Sequence, residues 1–211
     1  MTLVNRKLIK LNNRGVRNVS TFGSVVGGSM TFIKKLTASS SATLSFVDGA
    51  SDVVLDDTYK EYIITFKDIH AGTNQVSFTF NLSVDTGSNY NVAKTTTYAR
   101  AYHYENDTAT ALGYHTSSDL AQGTGEQILF NGAMSTDNDH CLAGHIHLFN
   151  PSSTTFVKHF VSRIVAVSDQ DYNYDALIAG YANSTSAVDA VRFKMSDGNI
   201  DAGDICLYGI K

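Results

Sequence analysis

The sequence predicts an all-β fold, a two-sheet antiparallel sandwich of jelly-roll type with an extended N-terminal arm. Three observations predict it. The 211 residues hold eleven Tyr, eleven Phe, one Pro, no Trp and only three Glu, at 61, 105 and 126, amid abundant Ser, Thr, Val, Ile and Gly; this is strand composition. Apolar residues recur with period two in short runs between turn residues, and no helical periodicity is sustained. The chain closes on Leu207-Tyr208-Gly209-Ile210. A frayed end would be polar, so the final strand is predicted to be paired and buried.

The elements follow in order. Residues 1–30 form the arm, ending in the Gly- and Ser-rich stretch 23–29, and residues 31–211 form the sandwich. Phe32, Lys34 and Leu36 alternate with Ile33 and Lys35, and Ala42 to Phe46 gives the next strand. Tyr59 to Phe66 places Tyr62, Ile64 and Phe66 on one face, and Asp68 to Thr73 is expected to turn the chain. Gln75 to Val84 alternates without error: Val76, Phe78, Phe80, Leu82 and Val84 face a core, while Ser77, Thr79, Asn81 and Ser83 face water or a partner. Asp85 to Asn89 turns into Thr95 to Tyr104, where Tyr98, Arg100, Tyr102 and Tyr104 share a face.

Asn106 to Gly125 is polar and unpatterned, so it is expected as a long surface excursion. Gln127 to Phe130 is a short strand, Asn131 to Asp139 an acidic loop, and Leu142, Gly144, Ile146 and Leu148 point inward from the strand that follows. Pro151 sits in a connection, where its missing N–H costs no ladder bond. Thr155 to Val167 and Leu177 to Tyr181 are the next strands. Ala187, Val191, Phe193 and Met195 then line one side of a strand, which Ser196 to Asn199 joins to Ile205–Ile210 as a terminal hairpin. About ten strands without helices favour two packed sheets.

Charge is distributed unevenly. Residues 1–35 carry seven Lys and Arg and no acid, leaving nine bases against twenty acids in the remainder, from +7 to −11. A basic arm on an acidic body points to docking on an acidic protein surface. The arm's bases are interspersed with Leu, Ile, Val and Asn rather than clustered, which disfavours nucleic acid; packing against its own domain stays open. The expected docking residues are Arg6, Lys7, Lys10, Arg14 and Arg17 for charge, with Leu8, Ile9, Leu11, Val16, Val19 and Phe22 as apolar contacts. No secretory signal and no apolar run long enough for a membrane span is present. Cys141 and Cys206 are expected as free core thiols in a reducing compartment.

Chemical constellations are few. His145 and His147 share a strand face with His140 nearby, a partial zinc spacing that lacks a third ligand, so structural or surface roles are favoured and no metal is expected. Asp197 to Asp204 offers alternating oxygens but neither the Glu nor the register of an EF-hand. Seventeen Asp single out no carboxylate pair, and there is no nucleophile elbow, phosphate loop or dinucleotide fingerprint. The chain therefore reads as non-enzymatic, without catalytic residues or cofactor. Tyr98, Tyr102 and Tyr104 are the candidate ligand face, with an ordinary core role as the alternative.

Several stretches together carry a resemblance: LTASSSATLSF at Leu36 to Phe46, YKEYIITFKDIHAGT at Tyr59 to Thr73, GSNYN at Gly87 to Asn91, LFNPSSTTFVKHF at Leu148 to Phe160, and Ala179 to the end. In these the chain resembles small virion structural proteins of tailed phages, notably phages of marine bacteria and cyanobacteria, over most of residues 31–211. The closing GNI…LYGI pattern is similar to the ends of tail-fibre chains. The resemblance implies a virion component assembled in the host cytoplasm. The expectation is a non-enzymatic head-decoration, neck or tail/fibre protein, homotrimeric or otherwise ring-forming, attached through its arm to capsid or tail proteins. The alternative is a fibre-tip module that binds a receptor or host-surface glycan through its exposed sheet face and the 106–125 excursion.

Overall fold

The computed structural model describes residues 29–211. All the arm residues named above therefore lie outside the described residues.

Twelve strands and no helix make up the described chain: β1 (Met30–Thr37), β2 (Leu44–Val47), β3 (Glu61–Ala71), β4 (Val76–Ser83), β5 (Lys94–Tyr104), β6 (Thr110–Tyr114), β7 (Gln127–Met134), β8 (Leu142–Phe149), β9 (Lys158–Val167), β10 (Tyr172–Ala182), β11 (Ala190–Met195) and β12 (Ile200–Ile210). They form two antiparallel sheets packed as a sandwich, one of eight strands in the order β1-β12-β3-β8-β9-β10-β5-β6 and one of four in the order β2-β11-β4-β7. Pairing is nested: β1 with β12, β2 with β11, β3 with β8, β4 with β7. The hairpins β5–β6 and β9–β10 are inserted into this scheme and extend the larger sheet beyond β8.

The core lies between the sheets. Phe66 of the large sheet meets Phe78 and Phe193 of the small one at ring distances of 5.3 and 5.2 Å, and Phe80 meets Phe160 at 5.1 Å. Under the extension, Tyr174 packs edge-on to Phe130 at 4.9 Å. Such edge-to-face pairs let large rings fill the gap between two twisted sheets.

The final strand is held as expected. β12 lies between β1 and β3, with Ile205 and Leu207 fully buried. It does not form a hairpin with β11, however. The turn at Gly198 (φ +67°) instead carries the chain from the small sheet to the large one.

Several more expectations change. Asp68 does not end its strand: a bulge there, with Asp68 at φ +51°, lets β3 run on to Ala71 and moves the buried set from Tyr62, Ile64 and Phe66 to Ile69 and Ala71. One extra residue shifts the side-chain phase. Ile33 is a similar bulge in β1, so Phe32 points outward onto Tyr208 and is 56% exposed. The polar face of β4 meets no water, since Ser77, Thr79, Asn81 and Ser83 are all buried. Their side chains bond to neighbouring segments, as Thr79 Oγ1 does to Lys194 O (2.9 Å) and Ser83 Oγ to Asp85 Oδ1 (2.7 Å), which removes the penalty of burying them. Finally, the 106–125 excursion contains β6, and β7 extends into the expected acidic loop. Cys141 and Cys206 are free but half-buried rather than in the core.

Candidate functional site

A sheet with one solvated face should alternate apolar inward with polar outward. In the extended half of the large sheet the inward side obeys: Phe160, Ile164, Tyr174, Ala176 and Ile178 are buried. The outward side does not. Val161 and Val165 on β9, Leu177 on β10, and Leu112 and Tyr114 on β6 are 42, 45, 51, 80 and 54% exposed. Register aligns them in rows, Val165-Asp175-Ala101-Leu112 and Arg163-Leu177-Ala99-Tyr114. A bidentate pair, Arg163 Nε and Nη2 to Asp175 at 3.0 and 2.8 Å, is the main charged feature in the middle, and it holds the guanidinium pKa above its ordinary value. The five large side chains together expose on the order of 500 Å², at the upper end for a monomer. The outer strand β6 is exposed at every residue and its far edge is unpaired among the described residues.

One end of this face dips into a groove of about 360 Å³, lined by Thr95, Thr97, His159, Val161, Ala179 and Tyr181. The His159 and Tyr181 rings lie 6.1 Å apart. Gln122 closes the rim, donating from Nε2 to Thr95 Oγ1 (2.6 Å) and to the Tyr181 hydroxyl (3.2 Å), and accepting Asn183 Nδ2 at 2.6 Å. An aromatic wall over an apolar floor, with amides and hydroxyls at the rim, suits a small polar ring such as a sugar. No protein family, curated protein or solved structure matches the chain.

The three candidate tyrosines share one side of β5, as alternation predicts, but it is the inner side of the sheet. Tyr98 is fully buried, with its hydroxyl 3.1 Å from that of Tyr174 and 3.3 Å from Leu129 O, and burial drives its pKa up. That takes it out of the candidate ligand face. Tyr102 lines a cleft of about 170 Å³ with Arg100, Ala111, Gly113 and His115, on the inner side of the β5–β6 hairpin. Tyr104 packs on Tyr172 at 4.8 Å and donates to Gln170.

Of the histidines, His145 and His147 share the outer face of β8, as their spacing predicts, and His140 lies apart. His147 sits 2.9 Å from Glu61 Oε2. His145 projects from the outer face, its pKa lowered by partial burial and then by His147 and Arg163. His140 lies in the β7–β8 loop, with Nδ1 2.6 Å from Ser135 Oγ and Nε2 3.4 Å from Asp171 Oδ1. This Ser-His-Asp line was not legible in sequence, because its members come from two loops. Ser135 Oγ is buried and also accepts the Asp137 N–H at 3.1 Å, so the line clamps two loops together.

Within 197–204 the carboxylates diverge. Asp204 takes Thr37 Oγ1 at 2.6 Å and Lys35 Nζ at 3.2 Å, which together hold its pKa down, and Asp201 pairs with His70 at 3.4 Å. Among the described residues no cluster of three metal-donor side chains occurs.

Proposed function

We propose that the chain is a non-enzymatic structural protein of a tailed-phage virion, whose copies associate through the outer face of β9, β10, β5 and β6 and which joins the particle through residues 1–30. The observation that carries this reading is the flat apolar outer face, which a soluble monomer would cover or make polar. Its five large side chains alone expose on the order of 500 Å², more than half of the about 800 Å² that one partner contributes to a stable interface. The nested pairing supports it: without the two inserted hairpins, the strand orders β1-β12-β3-β8 and β2-β11-β4-β7 are those of a jelly roll, an architecture shared by viral capsid and lectin domains. Fold alone does not assign function; the resemblance of the sequence to small virion proteins supplies that part of the reading.

Mechanistically the work is burial of surface. The arm, with five bases and no acid up to residue 28, wraps an acidic site on a capsid or tail protein, and many small contacts offset the entropy of ordering it. The body closes into a homotrimer or other ring through the apolar face. Removing residues 1–30 is expected to give a folded body missing from assembled particles; unchanged incorporation would remove the anchor role. Leu177→Asp is expected to dissociate the oligomer in sedimentation experiments, and an unaltered oligomer would remove this face from the assembly.

The groove favours a second reading, recognition of a host-surface glycan at Tyr181, His159, Thr95 and Gln122. Binding on a glycan array that Tyr181→Ala abolishes supports it, and absence of binding across the array leaves the assembly role alone.

A further inference from the structure

Among the described residues two lysines are wholly buried, and neither forms an ion pair there. Lys158 donates to the carbonyls of Ser184 and Ser186, at 3.0 and 2.5 Å. Lys94, at the start of β5, faces a side chain instead. Its Nζ lies 2.5 Å from Oδ1 of Asn81, which is 1% exposed, and 2.8 Å from Val92 O.

The Asn81 amide is fixed from both ends. Nδ2 donates to Tyr90 O (2.7 Å) and Thr124 O (3.1 Å), while Oδ1 accepts the Leu82 N–H at 2.9 Å. These partners decide which end is oxygen. Glu126 supplies a nearby carboxylate, close enough for its charge to act on Lys94. Its Oε1 pairs with Arg192, whereas Oε2 is buried without a hydrogen-bond partner among the described residues.

We propose that Lys94 and Asn81 join in a spontaneous intramolecular isopeptide bond, with Glu126 carrying the proton. A neutral amine has two N–H groups and one lone pair, and the two acceptors beside Nζ match the two N–H groups. Burial supplies that neutral form by lowering the Lys94 pKa to about 8, against the opposing pull of Glu126. A turn about the Cε–Nζ bond then aims the lone pair at Cγ of Asn81.

The step balances without a further reagent. Nζ bonds to Cγ, and the charge that develops on Oδ1 is met by the Leu82 N–H, as in an oxyanion hole. Glu126 makes no ion pair with Lys94 and must first turn its Oε2 toward Nζ; it then takes a proton from Nζ and delivers it to Nδ2, the Cγ–Nδ2 bond breaks, and ammonia leaves. Fixed proximity in a water-poor site replaces an external catalyst. The product ties β4 to β5 across the 84–93 connection. It does not depend on the assembly or glycan readings.

The test is the intact mass of the purified full-length chain, which is expected to fall about 17 Da below the sequence mass through loss of ammonia. Chymotryptic cleavage at Tyr90, between the two residues, is expected to leave the Asn81 and Lys94 peptides joined. Glu126→Gln, folded by circular dichroism, should show the full mass, as should Asn81→Ala. A wild-type chain at its full sequence mass after incubation at pH 9 overturns the proposal, as does a 17 Da loss that maps to Asn131-Gly132. A bond that forms undiminished in Glu126→Gln overturns the assignment of the proton carrier.

Discussion

Phe193→Ala tests whether one aromatic cluster holds the two sheets together. Phe193 has no exposed surface, and its ring lies 5.2, 5.9 and 6.5 Å from those of Phe66, Phe78 and Phe80. Those rings belong to strands of both sheets, so the space left cannot close without shifting one sheet on the other. The loss therefore belongs near the middle or top of the range for buried Phe, about 4 kcal/mol, of which the ring pairs account for roughly half. Phe32→Ala is the control. Phe32 is 56% exposed and touches one ring, Tyr208 at 5.6 Å, so its loss should cost less than about 1 kcal/mol. Urea unfolding followed by tyrosine emission, in a chain without Trp, gives the readout. With a slope of about 2.5 kcal/mol per molar urea, Phe193→Ala should move the midpoint down by about 1.6 M. A shift below about 0.5 M, or equal shifts for the two variants, would refute the argument.

Three further outcomes are expected. Burial raises the pKa of Tyr62, Tyr98 and Tyr174 above the ordinary value of 10; the stability they contribute is complete below pH 10 and declines above it, so absorbance titration should show these tyrosines ionising only as circular dichroism reports unfolding. Lys158 has a folded-state pKa below 10.5 because it is buried, so the unfolded chain binds more protons in the window just below 10.5 and stability gains from rising pH there; Lys158→Met should flatten that slope in denaturation measured up to pH 10.5. Gly203 has φ +115°, and a Cβ would lie 2.6 Å from Asp68 O and 2.7 Å from the Ile69 Cα. Gly203→Ala should cost about 2 kcal/mol or more in the same assay, whereas Gly113→Ala, with open space around its Cβ, should cost much less.

The sandwich was legible because alternation in Tyr62-Ile64-Phe66, Phe78-Phe80-Leu82 and Ile205-Leu207 reflects burial directly. Which way each side chain points was less so. The bulges at Ile33 and Asp68 add a residue without any hydropathy mark, and every later assignment in the strand changes side; only the polar pair Lys67-Asp68 between Phe66 and Ile69 hints at it. β6 leaves no mark in the sequence because a strand open on both faces has no core against which to alternate. The Asp197-Gly198 turn serves a hairpin or a change of sheet equally well, and only the partners of β11 decide between them. The buried polar side of β4 depends on distant carbonyls at Tyr90, Thr124 and Lys194, which no local pattern records. Of the candidate surface, Val161, Val165 and Leu177 stand in the sequence as ordinary strand residues; their exposure follows from sheet width, eight strands over four, which composition does not encode.

The nested pairing has a consequence for how the molecule is made. Of the described strands β1 leaves the ribosome first and its only neighbour among them, β12, last, so residues 38–199 are synthesised while β1, and from residue 72 also β3, waits for the strand between them. Contacts this distant in sequence form slowly, and the waiting edges are templates for a neighbouring nascent chain. A stalled or prematurely terminated product should therefore aggregate rather than persist as a smaller folded unit, and cells producing the protein in quantity would depend on chaperones during that interval.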